Sequence, residues 1–89
     1  MRAVITVIGK DMVGILARVS NICSDNNVNI VEVTQTVLQD LFAMIMLVDI
    51  SESGVSCADL SEKMNDLGNG LGLSIHVMHE DLFNCMHKI

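Results

Sequence analysis

Gly9-Lys10-Asp11-Met12-Val13-Gly14-Ile15-Leu16 is the stretch whose reading decides the fold. The residues before it, Ala3-Val4-Ile5-Thr6-Val7-Ile8, are rich in β-branched side chains and apolar at almost every position, which predicts a strand in the middle of a sheet. After it, Ile15, Leu16, Val19, Ile22 and Cys23 recur at i, i+1, i+4, i+7 and i+8, a single helical stripe, with Arg18, Ser20 and Asn21 on the opposite side. A helix over about Val13 to Asp25 follows, with Asp11 as its N-cap or first-turn acid and Asp25-Asn26-Asn27 as its end. Two glycines bracket a charged pair where the chain reverses. A strand-to-helix turn of this kind presents backbone N–H groups and a helix N-terminus, which suit an anion or a carboxylate. The plainer alternative is a tight connection in which Gly14 permits close packing.

Working outward, Val28 to Leu38 reads as a second strand whose phase is not clean. Val31, Val33, Gln35 and Val37 make the face expected to be buried. Ile30, Glu32, Thr34, Thr36 and Leu38 make a mixed face, and a bulge or bend near Ile30–Val31 would reconcile the two. Gln39-Asp40 is a short turn into a third strand, Leu41 to Ile50. Its run Leu41-Phe42-Ala43-Met44-Ile45-Met46-Leu47-Val48 has no polar alternation, so something is expected to cover both of its faces. Ser56, with Asp59 three residues on, opens a second helix with the stripe Cys57, Leu60, Met64 and Leu67, ending at Gly68. Asn69-Gly70-Leu71-Gly72 is expected to be a loose turn, and Leu73 to Met78 alternates as a fourth strand. Glu80 to Ile89 reads as a short helix with acids leading and Lys88 late, its apolar stripe being Leu82, Phe83, Met86 and Ile89. It should pack on the bare sheet face or on a partner subunit.

The order β-α-β-β-α-β specifies an α+β, ferredoxin-like fold. Right-handed crossovers put both helices on one face of a four-stranded antiparallel sheet, with strands one and three central and a short C-terminal helix added. Residues 1–79 are expected to form the domain, and 80–89 a helical extension packing on it or on its dimer partner.

Composition narrows the function. A chain of 89 residues with 51% hydrophobic residues is more apolar than a small single domain needs, since a domain of this size hides only about 60–65% of its unfolded surface. Oligomerisation is the natural outlet. The net charge is −6, and Arg2, Lys10, Arg18, Lys63 and Lys88 are scattered, so nothing matches a phosphate backbone. Two phenylalanines are the only aromatics, too few for a base-stacking platform. The three cysteines, Cys23, Cys57 and Cys85, are widely spaced and do not suggest a disulfide framework. No apolar run approaches a membrane span and no leader peptide is recognisable, so a cytoplasmic protein without nucleic-acid or membrane partners is expected.

The chemical motifs are mostly negative. Gly9 and Gly14 have the spacing that opens a P-loop, but Ile15 and Leu16 stand where Lys and Ser or Thr are required. Gly68, Gly70 and Gly72 follow a helix and precede a strand, the reverse of a dinucleotide fingerprint. His76, His79, Cys85 and His87 could be imagined around a metal, yet His76 and His79, three apart on a strand, point to opposite faces unless the chain bends at Met78. No metal site and no cofactor are expected. Cys23 and Cys57 fall on core stripes, and the seven methionines read as adaptable core filler. No nucleophile sits with a base and an orienting group, and no paired carboxylates suggest acid–base chemistry, so no enzyme activity is expected.

Asp11-x-x-Gly14-Ile15-Leu16-x-x-Val19, followed after the helix by Val28-Asn29-Ile30, resembles an ACT domain, and the resemblance runs from about Ala3 to Val77. The Gly9-Lys10-Asp11 turn and Val33-x-Gln35-Thr36-Val37-Leu38 further resemble the family of small stand-alone microbial ACT-domain proteins. The resemblance implies a regulatory module that binds an amino acid or similar effector between paired domains, which associate side by side or face to face. It implies a ligand held by the first strand–helix turn of one domain and the start of strand two of its neighbour. Carried onto this chain, that gives Asp11, Met12, Val13 and Gly14, with Asn29 and Ile30, the turn amides holding a carboxylate and Asn29 bonding the ligand's amino or carboxylate group. The chain departs from the pattern at Val13, where Pro is common, at Gly9, where some members carry a polar or imidazole side chain, and at Asp11, where some carry Asn. A negative charge at Asp11 disfavours a carboxylate and favours an ammonium. The alternatives are a ligand-free interaction module that regulates a partner enzyme by contact and, further off, a small metal protein.

Overall fold

The computed structural model describes residues 1–10 and 14–86. Its elements are β1 (Arg2–Gly9), α1 (Ile15–Asp25), β2 (Asn29–Leu38), β3 (Leu41–Asp49), α2 (Cys57–Leu71), β4 (Ser74–His79) and α3 (Glu80–Met86). The strands form one antiparallel sheet in the order β2-β3-β1-β4. The two strands with the most continuous apolar runs are central, as the ferredoxin-like order requires.

The register explains which residues reach the core. Ala3, Ile5 and Val7 pair with Val48, Met46 and Met44 of β3, and Ile5 and Val7 also face Val77 and Ile75 of β4. Together with Ile15, Val19 and Cys23 of α1 and Leu60 and Met64 of α2 they make one buried cluster. Burial pushes the Cys23 thiol up to about 11, so it stays protonated and behaves as a small hydrophobe.

The helix ends differ from the sequence reading in two places. α1 begins at Ile15 behind Gly14, whose φ of 75° makes it a left-handed N-cap, and no acidic residue lies in its first turn. Asp11 falls outside the described residues, three positions before that cap. The other end closes as expected, with Val28 N–H donating to the Cys23 carbonyl (2.8 Å) and Asn27 in the left-handed region at φ 62°. α2 starts as predicted, the Ser56 hydroxyl accepting from Asp59 N–H at 3.1 Å. It does not stop at Gly68 but runs to Leu71, with Gly72 as C-cap at φ 69°. Residues 69–71 are thus helix rather than a loose turn. Gly68 is a buried contact instead: a Cβ there would lie 2.9 Å from the Leu73 carbonyl oxygen and 3.2 Å from Ile75 Cγ1.

β2 has the irregularity its phase implied, a register shift between Ile30 and Glu32. The extra residue brings Ile30, opposite Val48, into phase with Val33, opposite Met46. The face expected to be buried is only partly so, because β2 is an edge strand: Val33 is half-buried, while Val31 and Val37 are 47% and 57% exposed. Gln39, at φ 58°, turns the chain into β3.

β3 is covered on its helix side, where Phe42, Met44, Met46 and Val48 are buried. Its second face is only partly answered. α3 packs against β1 and β4, and Val4, which belongs to that face, is buried. Arg2 clasps Glu80 with both its Nη2 (2.8 Å) and its Nε (3.1 Å), tying the start of α3 to β1. Leu41 and Ile45 remain 40% and 43% exposed, as does Ile8 at 46%. Leu82, assigned above to the packing stripe of α3, is exposed, whereas Phe83 is half-buried.

Two substitutions separate packing from propensity on α2. Gly68→Ala should destabilise by about 1–3 kcal/mol, because the added methyl meets backbone. Gly70→Ala, with nothing within 4 Å of its Cβ, should stabilise by roughly 0.5–1 kcal/mol from helix propensity. Urea unfolding of the two variants checks both signs.

Candidate functional site

The β1–α1 turn is framed by two glycines held for different reasons. At Gly9 a Cβ would meet the terminal methyl of Leu73, so a larger residue there requires that side chain to move aside. At Gly14 nothing among the described residues lies within 4 Å of an added Cβ, and the requirement is the positive φ. Gly14 is exposed, and its carbonyl accepts Arg18 N–H at 3.0 Å, the first turn of α1. Asp11, Met12 and Val13, three of the residues assigned to the ligand, lie outside the described residues.

Asn29 and Ile30 line an open groove of about 700 Å³ with Ser24, Asn27, Val28, Asp49, Ser51 and Glu52. The groove forms where the end of α1 and the start of β2 meet the loop after β3. Asn27 Nδ2 donates to the Glu52 carbonyl (3.3 Å) and Gly54 N–H to the Asn26 carbonyl (3.3 Å), joining the two walls. Asn29 is exposed and Ile30 half-buried. Asp49 accepts both Ser51 N–H (2.9 Å) and the Ser51 hydroxyl (2.6 Å), and these bonds hold its carboxyl below the ordinary value of 3.8. The Met1 ammonium, 3.6 Å away and bonded to Ser51 Oγ, acts in the same direction. Asp49, Ser51 and Glu52 were not singled out from the sequence. Nothing in their spacing marks them, and only the sheet register brings them beside Asn29.

Within one chain the two ends of the sheet that carry the candidate residues Gly14 and Asn29 are far apart. Asn29 pairs with Asp49, which pairs with Arg2, the first residue of β1. The Gly9–Gly14 turn leaves the last residue of β1, opposite Phe42 and hence Val37. At a rise of about 3.4 Å per residue, the seven steps of β1 from Arg2 to Gly9 separate them by ~24 Å.

His76 is exposed on β4 opposite Thr6, and His79 ends the same strand opposite Ala3. The strand continues through Met78 without the bend that would bring the two rings together. Among the described residues no group of three or more His, Cys, Asp or Glu side chains gathers as a metal site, and no helix is long and apolar enough to cross a membrane.

The ACT-domain profile matches residues 2–78. The chain belongs to the ACT-domain family. A UPF0237 protein of Methanopyrus kandleri is 49% identical over 99% of this chain and 98% of its own length. Among solved structures, an ACT domain protein from Streptococcus pneumoniae superposes at a TM-score of 0.81 with 34% identity, covering 93% of each chain. A formyltetrahydrofolate deformylase from Pseudomonas syringae shares the fold (TM-score 0.78, 20% identity), with 88% of this chain matching 27% of that one. ACT domains are regulatory ligand-binding modules, and in this chain the module makes up nearly the whole length. α3 lies beyond the matched residues.

The Asp49 carboxylate gives a pH signature. Its folded value is depressed, so its stabilising bonds are fully present above the ordinary carboxylate value and are lost as pH falls through the lower folded value. A carboxyl-carbon NMR titration should find Asp49 ionised below pH 3.8. Replacing Ser51 with Ala should return its midpoint towards that value.

Proposed function

We propose that this protein is a non-catalytic regulatory module that binds a small effector, an amino acid, in a cytoplasmic homodimer. Residues 1–79 are the module and 80–89 an extension of it. The observation that carries the reading is the ACT-domain match over residues 2–78. Two features of this chain support it. Gly14 stands as the N-cap of α1, and a helix N-terminus favours a carboxylate. Asn29 and Ile30 line a groove walled by Asp49 and Glu52, which favours an ammonium.

In this reading Asp11, Met12, Val13 and Gly14 of one copy and Asn29 and Ile30 of another hold opposite ends of the ligand. A ligand that bridges two copies would favour the assembled state by its differential affinity. That is a regulatory output needing no chemistry from the module itself. A partner enzyme that recognises the assembled form would complete the circuit.

A thermal-shift panel of the common amino acids, run beside light scattering, tests the proposal. At least one amino acid should raise the melting temperature, and Asn29→Ala should weaken that response tenfold or more without changing the unliganded melt. A dimer indifferent to every amino acid would favour the contact-only module instead.

A further inference from the structure

We infer that the open face of the sheet over β2 and β3 is a dock for one amphipathic helix of a partner protein, a helix with an apolar stripe and Lys or Arg at its margins. The inference rests on the regulatory reading above for its partner, and not on the effector. A strand takes up about 4.8 Å of sheet width and a helix about 10 Å, so each face of a four-stranded sheet has room for two helices. The helix side has its two: α1 packs beside β2, and α2 on β4. The open side has α3, which packs against β1 and β4. The width of one helix is left over β2 and β3.

The residues there suit such a guest. Leu41, Ala43, Ile45 and Leu47 alternate onto this face from β3, with Leu41 and Ile45 exposed and Ala43 and Leu47 half-buried. Thr34 and Thr36 of β2 stand opposite Ile45 and Ala43, and the exposed Ile8 of β1 flanks Ala43 on the other side. The floor is therefore apolar along its middle and lowest at Ala43. The six steps from Leu41 to Leu47 span ~20 Å, the length of about thirteen helical residues. Exposed apolar patches mark interaction sites, and an amphipathic helix fills one with anchors at i, i+3 or i+4, and i+7.

Charge selects the guest. Residues 29–49 hold Glu32, Asp40 and Asp49, and no Lys, Arg or His. Glu32 lies on the docking face opposite Leu47, and Asp40 in the turn just before Leu41, so an exposed acid stands at each end of the apolar floor. Of the nearby bases, Arg2 is held by Glu80, and Lys10 follows β1. Basic margins complement the two acids, whereas an anionic membrane surface is repelled by them. A second copy of this chain is disfavoured for the same reason: it brings the same acids, and its α3 opens with Glu80 and Asp81.

The probe is a labelled synthetic helix of about fourteen residues, with Leu at i, i+4, i+7 and i+11 and Lys at the margins of that stripe. By fluorescence anisotropy it should bind the full chain. Ile45→Asp should weaken binding tenfold or more, and Glu32→Lys should reverse the preference from Lys margins to Glu margins. Leu16→Asp, at an exposed apolar position of α1, should leave binding unchanged. Circular dichroism checks the fold of each variant, and Glu32→Lys, on an exposed position of an edge strand, keeps the test decisive if Ile45→Asp does not fold. Absence of binding, or an affinity indifferent to both changes on the open face, would overturn the dock and leave the amino-acid response proposed above standing. A wild-type dimer that Ile45→Asp dissociates in light scattering would also overturn it, since the face would then belong to a second copy.

Discussion

The antiparallel pairing of β1 with β3 buries Ile5, Val7, Met44 and Met46 completely. Each such side chain contributes on the order of 1.5–3 kcal/mol relative to exposure, and both helices pack on the surface they create. That pairing also fixes direction. β1 runs from the end of the sheet that holds Asn29 to the end that holds the Gly9–Gly14 turn. Once β1 is central, no local rearrangement can bring those two features together in one chain. The separation of the candidate site into halves follows from the topology rather than from any individual residue.

The fold was legible because its signals were redundant. Unbroken apolar runs marked β1 and β3 as central, stripes at helical spacing marked α1 and α2, and Ser56 and Asn27 marked helix ends by their capping chemistry. The bulge in β2 was legible too, since Ile30 and Val33 could share a face only if one residue were inserted. Failures came where one residue type has two uses. Gly68 was read as a stop, but it is a helical residue made necessary by the Leu73 carbonyl beside it. The length of α2 was therefore missed by three residues, Asn69 to Leu71. The apolar face of β2 was overestimated because alternation reports which way a side chain points, not whether an edge strand has anything to cover it.

The candidate site was less legible. The turn ending in Gly14 could be singled out from its strand–helix chemistry, Asn29 and Ile30 only through a family resemblance, and Asp49, Ser51 and Glu52 not at all. They reach the groove through register, a property of strand pairing that no local pattern carries. The exposed apolar side chains behave alike. Val31 and Val37 on the β2 edge, and Leu41 and Ile45 on the open face, are what the excess of hydrophobic residues becomes once a single sheet and three helices have buried what they can.

The central claim is that one ligand site is built from two chains. The most direct test mixes two defective variants, Gly14→Asp and Asn29→Ala, each unable to bind the amino acid that gives the largest thermal shift. After co-refolding, half of the dimers are mixed, and each mixed dimer has one of its two sites formed from intact halves. The account predicts that calorimetry recovers about a quarter of the wild-type binding capacity at wild-type affinity. A mixture of folded, dimeric variants that recovers no binding would contradict it.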